Sequence, residues 1–289
     1  MRPGREQVGS KTIRQTQSIL VTIYLLELIG ATAVTSLGWA ACGILRIDWI
    51  PSAPLWFAGY LLVYNLDRLY QDPADRVNTP VRAGKSEELQ RFRVCLVVLS
   101  ATVLLVWPLL TSRWWLVLAE ISIVGLLYFY SRPIPRLGFR LKDIPYIKSL
   151  IAPGLIAGIL VVWPCVENGR SFRWKESVIF VWCLLALTIN SLVFDYRDIE
   201  GDTMVGTRTI PLRLGRRNTV LLLLILTTAW IAVSGWLEGR GLVRPLMPAV
   251  LTGGSAGLLF ALTTPLSPIT ISMLADLVLI LPAAVQFFG

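Results

Sequence analysis

The chain has 289 residues, of which 55% are hydrophobic and 16% charged, and its mean hydropathy is +0.65. A soluble domain carries about 25% charged residues, so the composition excludes that class and indicates an integral membrane protein. The net charge of +9 would also suit a nucleic-acid partner, but the basic residues are concentrated on one side of the predicted membrane, which excludes nucleic acid.

Stretches of roughly 20 mainly apolar residues predict nine transmembrane helices. They cover residues 17–45, 49–66, 92–111, 114–130, 144–165, 176–194, 218–236, 246–263 and 267–287. No linker or insertion is long enough for a second domain. We therefore predict an all-α integral membrane protein, with a tail at residues 1–16 and one transmembrane domain at residues 17–289.

The gaps between these spans predict the orientation. With Arg93 at the start of the third span included, alternate gaps hold 19 Lys and Arg residues on one side and seven on the other, and cytoplasmic loops carry the excess of positive charge. The N terminus is thus predicted to be cytoplasmic and the C terminus external. The first apolar segment lacks the short length and small-residue cleavage site of a signal peptide, so we expect a retained, multi-pass chain.

The chain contains four cysteines and no histidine. The cysteines are scattered in or beside apolar spans and form no CxxC pair, which argues against a zinc site, haem ligation by histidine and a disulfide framework. We interpret them as small buried hydrophobic residues.

Two clusters of acidic and amide side chains lie in the polar gaps on the predicted cytoplasmic side. The first consists of Asn65, Asp67, Asp72 and Asp75, and the second of Asp195, Asp198 and Asp202. Crowded carboxylates repel one another unless a cation lies among them. Hard divalent cations such as Mg²⁺ prefer these oxygens and share them with substrate phosphates. The clusters therefore predict a membrane-embedded site for a phosphorylated ligand.

The two clusters differ in regularity. The second has the spacing i, i+3, i+7, which predicts one face of a helix that continues out of the sixth span. In the first, Asn65 and Asp72 share a helix face with Arg68 between them, whereas Asp67 points elsewhere. Pro73 interrupts a helix, so we expect Asp75 on a turn.

Cations are available for a polyanion near both clusters, since Arg pairs bidentately with phosphate oxygens. Arg208, Arg213, Arg216 and Arg217 follow the second cluster, a third gap supplies Arg132, Arg136, Arg140 and Lys142, and Lys148 begins the next span. Each could instead be an ordinary positive-inside residue. Ionisable residues inside spans are functional candidates; these are Glu27, Glu120 and Asp276, for which pairing with a neighbour is an alternative to catalysis.

Three runs of the chain resemble motifs of the UbiA superfamily of intramembrane prenyltransferases. The run from Asp195 to Gly215 (DYRDIEGDTMVGTRTIPLRLG) resembles that family's second aspartate motif. The run from Asp75 to Arg82 (DRVNTPVR) resembles the segment after its first motif, and the run from Tyr130 to Leu137 (YSRPIPRL) resembles its fourth-to-fifth-helix loop. With the helix count, the resemblance spans nearly the whole chain.

The resemblance implies a nine-helix bundle around a central, lipid-opening cavity, in which Mg²⁺ ions held by two aspartate motifs bind an isoprenyl diphosphate. Carried over residue by residue, the resemblance assigns Asn65, Asp72 and Asp75 to the first motif and Asp195, Asp198 and Asp202 to the second. We predict metal binding by both clusters, Asp67 included, and catalysis by Asn65, Asp72, Asp195, Asp198 and Asp202. We predict substrate binding by Arg68, Arg76, Tyr128, Arg132, Arg136, Lys142, Lys148, Tyr196 and Arg208. The first motif departs from the family. Aligned backwards from Asp75, it has Gln71 where an Asp is expected and Asp67 where the Asn is expected. Either Asp72 replaces that Asp or the metal count differs.

Three functions fit these features. The first is transfer of a prenyl group to an aromatic or other lipophilic acceptor within the membrane. The second is a terpene cyclase of the same superfamily, in which the ionised chain attacks itself. The third is a transporter lined by the intramembrane charges. For either enzyme, aromatic faces can stabilise the allyl cation, and Tyr64, Tyr128 and Tyr196 are the tyrosines nearest the motifs.

Overall fold

The computed structural model describes residues 19–69, 73–111, 118, 125, 138, 144, 147–264 and 266–288, and the described part is helical without a strand. After helical turns at residues 19–25, eleven helices follow: α1 (Leu28–Leu45), α2 (Ala53–Leu69), α3 (Pro73–Asn78), α4 (Pro80–Gly84), α5 (Ser86–Leu110), α6 (Ile147–Glu167), α7 (Trp174–Arg197), α8 (Ile199–Val205), α9 (Ile210–Gly239), α10 (Met247–Thr263) and α11 (Pro268–Phe288).

Eight of the nine predicted spans coincide with helices in this order, and the fourth, residues 114–130, lies almost wholly outside the described residues. Within the described ranges, six helices are long and apolar enough to cross a membrane, namely α1, α5, α6, α7, α9 and α11, and α10 is a shorter apolar helix. Since several apolar helices of this length occur in one chain, the protein is a multi-pass membrane protein.

The prediction of one continuous first span was wrong. The helix is interrupted at Leu26 and Glu27, and Glu27 has a φ of +65°, in the left-handed region that non-glycine residues seldom adopt. Side chains from other helices bind both residues of the break, as described below. Tertiary contacts therefore stabilise a local conformation that no glycine or proline signals.

Helices α1 and α7 organise the bundle. Helix α1 packs against α2, α6, α7 and α11, while α7 packs against α6, α9 and α11. Buried aromatic rings fill the interface of α7 with α9, where the Trp182 and Trp230 rings lie 5.9 Å apart and the Trp182 indole N–H donates to the Ser234 hydroxyl at 2.8 Å. Small residues permit close packing elsewhere: Gly254 of α10 leaves no room for a Cβ beside Leu281 of α11.

Three short helices lie at one end of the bundle. Helices α3 and α4 follow α2, and α8 follows α7. The prediction of a turn at Asp75 was wrong, because Pro73 begins α3 and Asp75 lies within that helix, as a proline fits the first turn of a helix. Helix α3 packs directly on α8, although more than a hundred residues separate them in the chain. This packing brings together the segments that carry the two acidic clusters.

Candidate active site

A hydrogen bond between helices α3 and α8 joins the two acidic segments. The Asn78 side-chain oxygen Oδ1 accepts from the backbone N–H of Gly201 at 2.8 Å, and Asn78 is buried. A Cβ at Gly201 would lie 2.5 Å from atoms of the Asn78 side chain, so this close approach requires glycine. Neither residue was predicted to belong to the site. The signal available in the sequence was the glycine inside the second acidic motif.

The second cluster does not lie on one continuous helix as predicted. Helix α7 ends at Arg197, Asp198 has φ −90° and ψ 7°, and α8 begins at the next residue. Asp195 is thereby buried within α7, where its carboxylate accepts from the Ser149 hydroxyl of α6. Asp202 is buried in α8. The interruption is confined to Asp198, whose N–H still donates to Phe194 O and whose carbonyl oxygen still accepts from the Asp202 N–H, both at 2.9 Å.

Asp198 forms the clearest ion pair of the site. The Arg197 Nε and Nη2 atoms donate to its two carboxylate oxygens at 2.6 and 2.7 Å, and both side chains are largely buried. Arg197 also donates to the Ser272 hydroxyl of α11. Its charge is near enough to interact with Arg68 and Tyr24. The charge at the end of α7 is therefore electrostatically coupled to Arg68 of α2.

Asn65 is fully buried, and its orientation is fixed by two backbone carbonyls. Its amide nitrogen donates to Leu61 O at 3.0 Å and to Leu26 O at 3.2 Å. Both partners are acceptors, so the amide nitrogen must face them and the side-chain oxygen faces away. This oxygen is buried and has no hydrogen-bond partner in the described part of the chain. Such an orphaned acceptor suits a bound cation or donor.

Beside Asn65, a buried carboxylate bridges two arginines. Glu27, at the break before α1, has its Oε1 atom 3.3 Å from Arg68 Nε and 3.5 Å from Arg82 Nη2. Arg82 is almost fully buried, lies over the Tyr24 ring and donates to the Tyr24 hydroxyl at 3.1 Å. Arg68 also lies 3.7 Å from Asp67. Sequence reasoning identified Glu27 and Arg68 separately and missed Arg82 and Tyr24.

The remaining predicted site residues lie apart from these contacts or outside the described part of the chain. Arg76, within α3, and Arg208, between α8 and α9, are both exposed. Tyr196 is buried, its hydroxyl donates to Leu262 O at 3.5 Å, and Arg216 lies over its ring. Outside the described residues lie Asp72, Tyr128, Arg132, Arg136 and Lys142, together with the side chains of Asp75 and Lys148.

The donor set at this end of the bundle fits Mg²⁺. In the described ranges no three acidic or cysteine side chains are grouped closely enough to hold a metal ion, and these ranges omit Asp72 and the Asp75 carboxylate. The possible metal ligands within these ranges are all oxygen atoms. They are the orphaned side-chain oxygen of Asn65 and the carboxylate oxygens of Asp195, Asp198 and Asp202. Hard cations prefer such ligands.

Glu27→Gln should weaken the site, although Gln has nearly the same size as Glu and leaves no gap. The amide cannot neutralise Arg68 and Arg82, and breaking a buried ion pair from one side is costly, typically about 3–5 kcal/mol. We expect a lower melting temperature in detergent and a weaker affinity for a diphosphate ligand, measured by thermal unfolding with and without inorganic diphosphate. Glu88→Gln, at an exposed position of α5, is the control. Equal behaviour of the two variants would contradict this role of Glu27.

Comparison with known proteins adds a family and a fold. A model of the family described as "UbiA prenyltransferase family" matches residues 72–279. Over 78 residues the chain is 32% identical to digeranylgeranylglyceryl phosphate synthase of Methanosarcina mazei, a match that covers 27% of each protein. The chain thus matches about a quarter of the length of this curated relative.

Two solved structures are similar to the bundle. The apo structure of a UbiA homolog from Aeropyrum pernix K1 superposes with a TM-score of 0.57 at 16% identity, over 86% of this chain and 94% of that one. A structure described as giving insights into the biosynthesis of digeranylgeranylglyceryl phosphate synthase in membranes gives 0.50 at 16% identity, over 93% and 98%. At these identities the likeness concerns the fold.

Proposed function

This chain belongs to the UbiA prenyltransferase family, and from that premise we propose that it is a Mg²⁺-dependent enzyme that ionises an isoprenyl diphosphate and transfers the prenyl group to a lipophilic acceptor. The observation that carries the proposal is the convergence of the two acidic segments. The packing of α3 on α8 and the bond from Gly201 to Asn78 support the proposal, because they join the two chain segments that carry the carboxylates. The orphaned Asn65 oxygen and the buried Arg82 support it as well.

Each group has a role in the proposed reaction. Mg²⁺ would be held by the first cluster (Asn65, Asp67, Asp72, Asp75) and the second (Asp195, Asp198, Asp202). When bound, it supplies Lewis-acid stabilisation of the departing diphosphate. Arg68 would bind diphosphate oxygens, with the predicted cations Arg76, Arg132, Arg136, Lys142, Lys148 and Arg208. Preorganised positive charge in a site that excludes water stabilises negative charge developing on the leaving group.

The allylic carbon needs a different environment from the diphosphate. Tyr60 and Tyr64 of α2 stack with their ring centroids 4.1 Å apart, and both lie within electrostatic range of Glu27. Aromatic faces stabilise a desolvated cation by about 2 kcal/mol. We therefore place these two rings, rather than Tyr196, beside the reacting carbon. The apolar walls of the bundle limit capture of the cation by water.

The architecture proposed for the whole chain completes this assignment. We propose nine transmembrane helices around a central cavity, one transmembrane domain at residues 17–289, a cytoplasmic tail at residues 1–16 and an active site on the cytoplasmic side. The distribution of Lys and Arg among the gaps supports this orientation. The partial match to digeranylgeranylglyceryl phosphate synthase supports a membrane-lipid acceptor.

An acceptor-omission experiment tests the proposal. Purified protein in lipid nanodiscs is incubated with geranylgeranyl diphosphate and Mg²⁺, with or without an acceptor panel of an ether-linked glycerol phosphate and a hydroxybenzoate, and diphosphate and organic products are measured. We expect a prenylated acceptor to form and EDTA to abolish its formation. A cyclic hydrocarbon or alcohol formed without acceptor would identify a cyclase instead, and failure to release diphosphate from any donor would overturn both.

A further inference from the structure

A polar pair lies inside the bundle, away from the acidic clusters. Asp276, in the middle of α11, is 4% exposed, and its Oδ1 atom accepts from the Asn190 amide nitrogen of α7 at 3.2 Å. An ionisable side chain within a membrane span costs free energy and usually has a function. Neither residue belongs to the aspartate motifs, and the reaction proposed above does not yet use either of them.

The pair is connected to the diphosphate end through the same two helices. Arg197 of α7 donates to Ser272 of α11, and Asn190 donates to Asp276, so these contacts form two successive rungs between the helices. Asp276 follows Ser272 by four residues, which is one helical turn, or about 6 Å. The Asp276 carboxylate therefore lies about one turn deeper in the bundle than the residue that contacts the Arg197–Asp198 ion pair.

The surroundings of the pair suit the reacting end of a substrate. Both Tyr60 and Tyr64 are within electrostatic range of Asp276, as are Glu27, Arg82 and Arg197. Asn190 and the next residue, Ser191, are only partly buried, whereas Ile189 and Leu192 on either side of them are buried. A carboxylate that can accept a proton, hydrogen-bonded to an amide, thus lies within electrostatic range of the rings proposed for the allylic carbon.

We propose that Asp276 and Asn190 form the acceptor subsite, and that its ligand is a lipid alcohol whose hydroxyl donates to the Asp276 carboxylate. This inference rests on the transferase function proposed above. The C1–oxygen bond to diphosphate breaks and its electron pair leaves with the diphosphate. A lone pair of the acceptor oxygen forms the new C–O bond at C1, and the hydroxyl proton passes to Asp276. Asn190 positions the carboxylate.

A purely structural role is the alternative, since buried polar contacts also join membrane helices. Asp276→Asn separates the two, because the amide oxygen can still accept from Asn190 but cannot take the proton. The matched control is Ser234→Ala, which removes another buried hydrogen bond between α7 and a neighbouring helix. The acceptor probes are a geranylgeranyl ether of glycerol phosphate with a free hydroxyl, its O-methyl derivative and a hydroxybenzoate.

For Asp276→Asn we expect a fall in the kcat of transfer to the free hydroxyl by about 10²-fold or more, the usual contribution of a general base. The KM for geranylgeranyl diphosphate should change little, and Ser234→Ala should retain transfer. The O-methyl probe should not react. Prenylation of the hydroxybenzoate at carbon alone, unchanged kcat in Asp276→Asn, or equal losses in both variants would overturn the subsite. In each of these failures the wild type still forms a prenylated acceptor. Failure of the transferase proposal leaves no prenylated acceptor, with either a cyclic product or no diphosphate release.

Discussion

Asp198→Asn should lose Mg²⁺-dependent diphosphate release almost completely. Asp198 is the single residue between α7 and α8 and the middle member of the second acidic cluster. The amide removes the negative charge needed to hold a hard cation but keeps an acceptor for Arg197. Loss of one electrostatic group in a preorganised site lowers kcat by about 10²–10³-fold, and release of diphosphate from geranylgeranyl diphosphate in nanodiscs measures it.

Asn keeps one acceptor oxygen for Arg197, so it limits, relative to Ala, a second effect on the fold. Arg197 is 6% exposed and binds both Asp198 oxygens, so Asp198→Ala would leave a buried guanidinium without its partner and destabilise the fold. Glu200→Ala is the control, because that carboxylate, two residues away, is 74% exposed and contacts only the exposed Arg216 among the bonds described for it. Full activity in Asp198→Asn, or equal losses in both variants, would reject the role of Asp198.

The sequence predicted the apolar helices well because each depends on a local property. A run of about 20 apolar residues can satisfy its backbone in lipid only as a helix, so the spans and their order follow from composition alone. The exceptions arise from contacts between distant segments. Leu26 and Glu27 lie within an apolar run, yet the helix breaks there, where Asn65 and Arg68 bind from α2. No local signal encodes those partners.

The site was predictable in its residue types and less so in its geometry. Carboxylates between apolar spans indicated Asp195 and Asp198 as functional, but their placement on one helical face assumed an unbroken α7. The structure ends that helix at Arg197, and pairs Asp198 with the adjacent residue, a contact that regular helical spacing disfavours. Asn78 was invisible as a site residue because its role depends on the packing of α3 on α8.

Gly201→Ala should disrupt the site although Gly201 is not one of the proposed ligands, because the new Cβ would lie 2.5 Å from the Asn78 side chain. Overpacking of this kind costs about 1–3 kcal/mol. It would also displace the Asn78 oxygen from the Gly201 N–H and move α3 relative to α8. We expect at least a ten-fold loss of kcat/KM, equivalent to about 1.4 kcal/mol, with a smaller change in melting temperature, measured on the same nanodisc preparation.

Two further variants show whether that loss arises at the α3–α8 contact. Gly158→Ala, also at a helical glycine but with open space where its Cβ would lie, should retain wild-type activity. Asn78→Ala removes the hydrogen bond but makes room for a methyl group at residue 201. The double variant Asn78→Ala with Gly201→Ala should therefore lose less activity than the two single losses combined, since contacting residues are not additive. Strict additivity would place the effect of Gly201→Ala elsewhere than in the contact that aligns the two acidic segments.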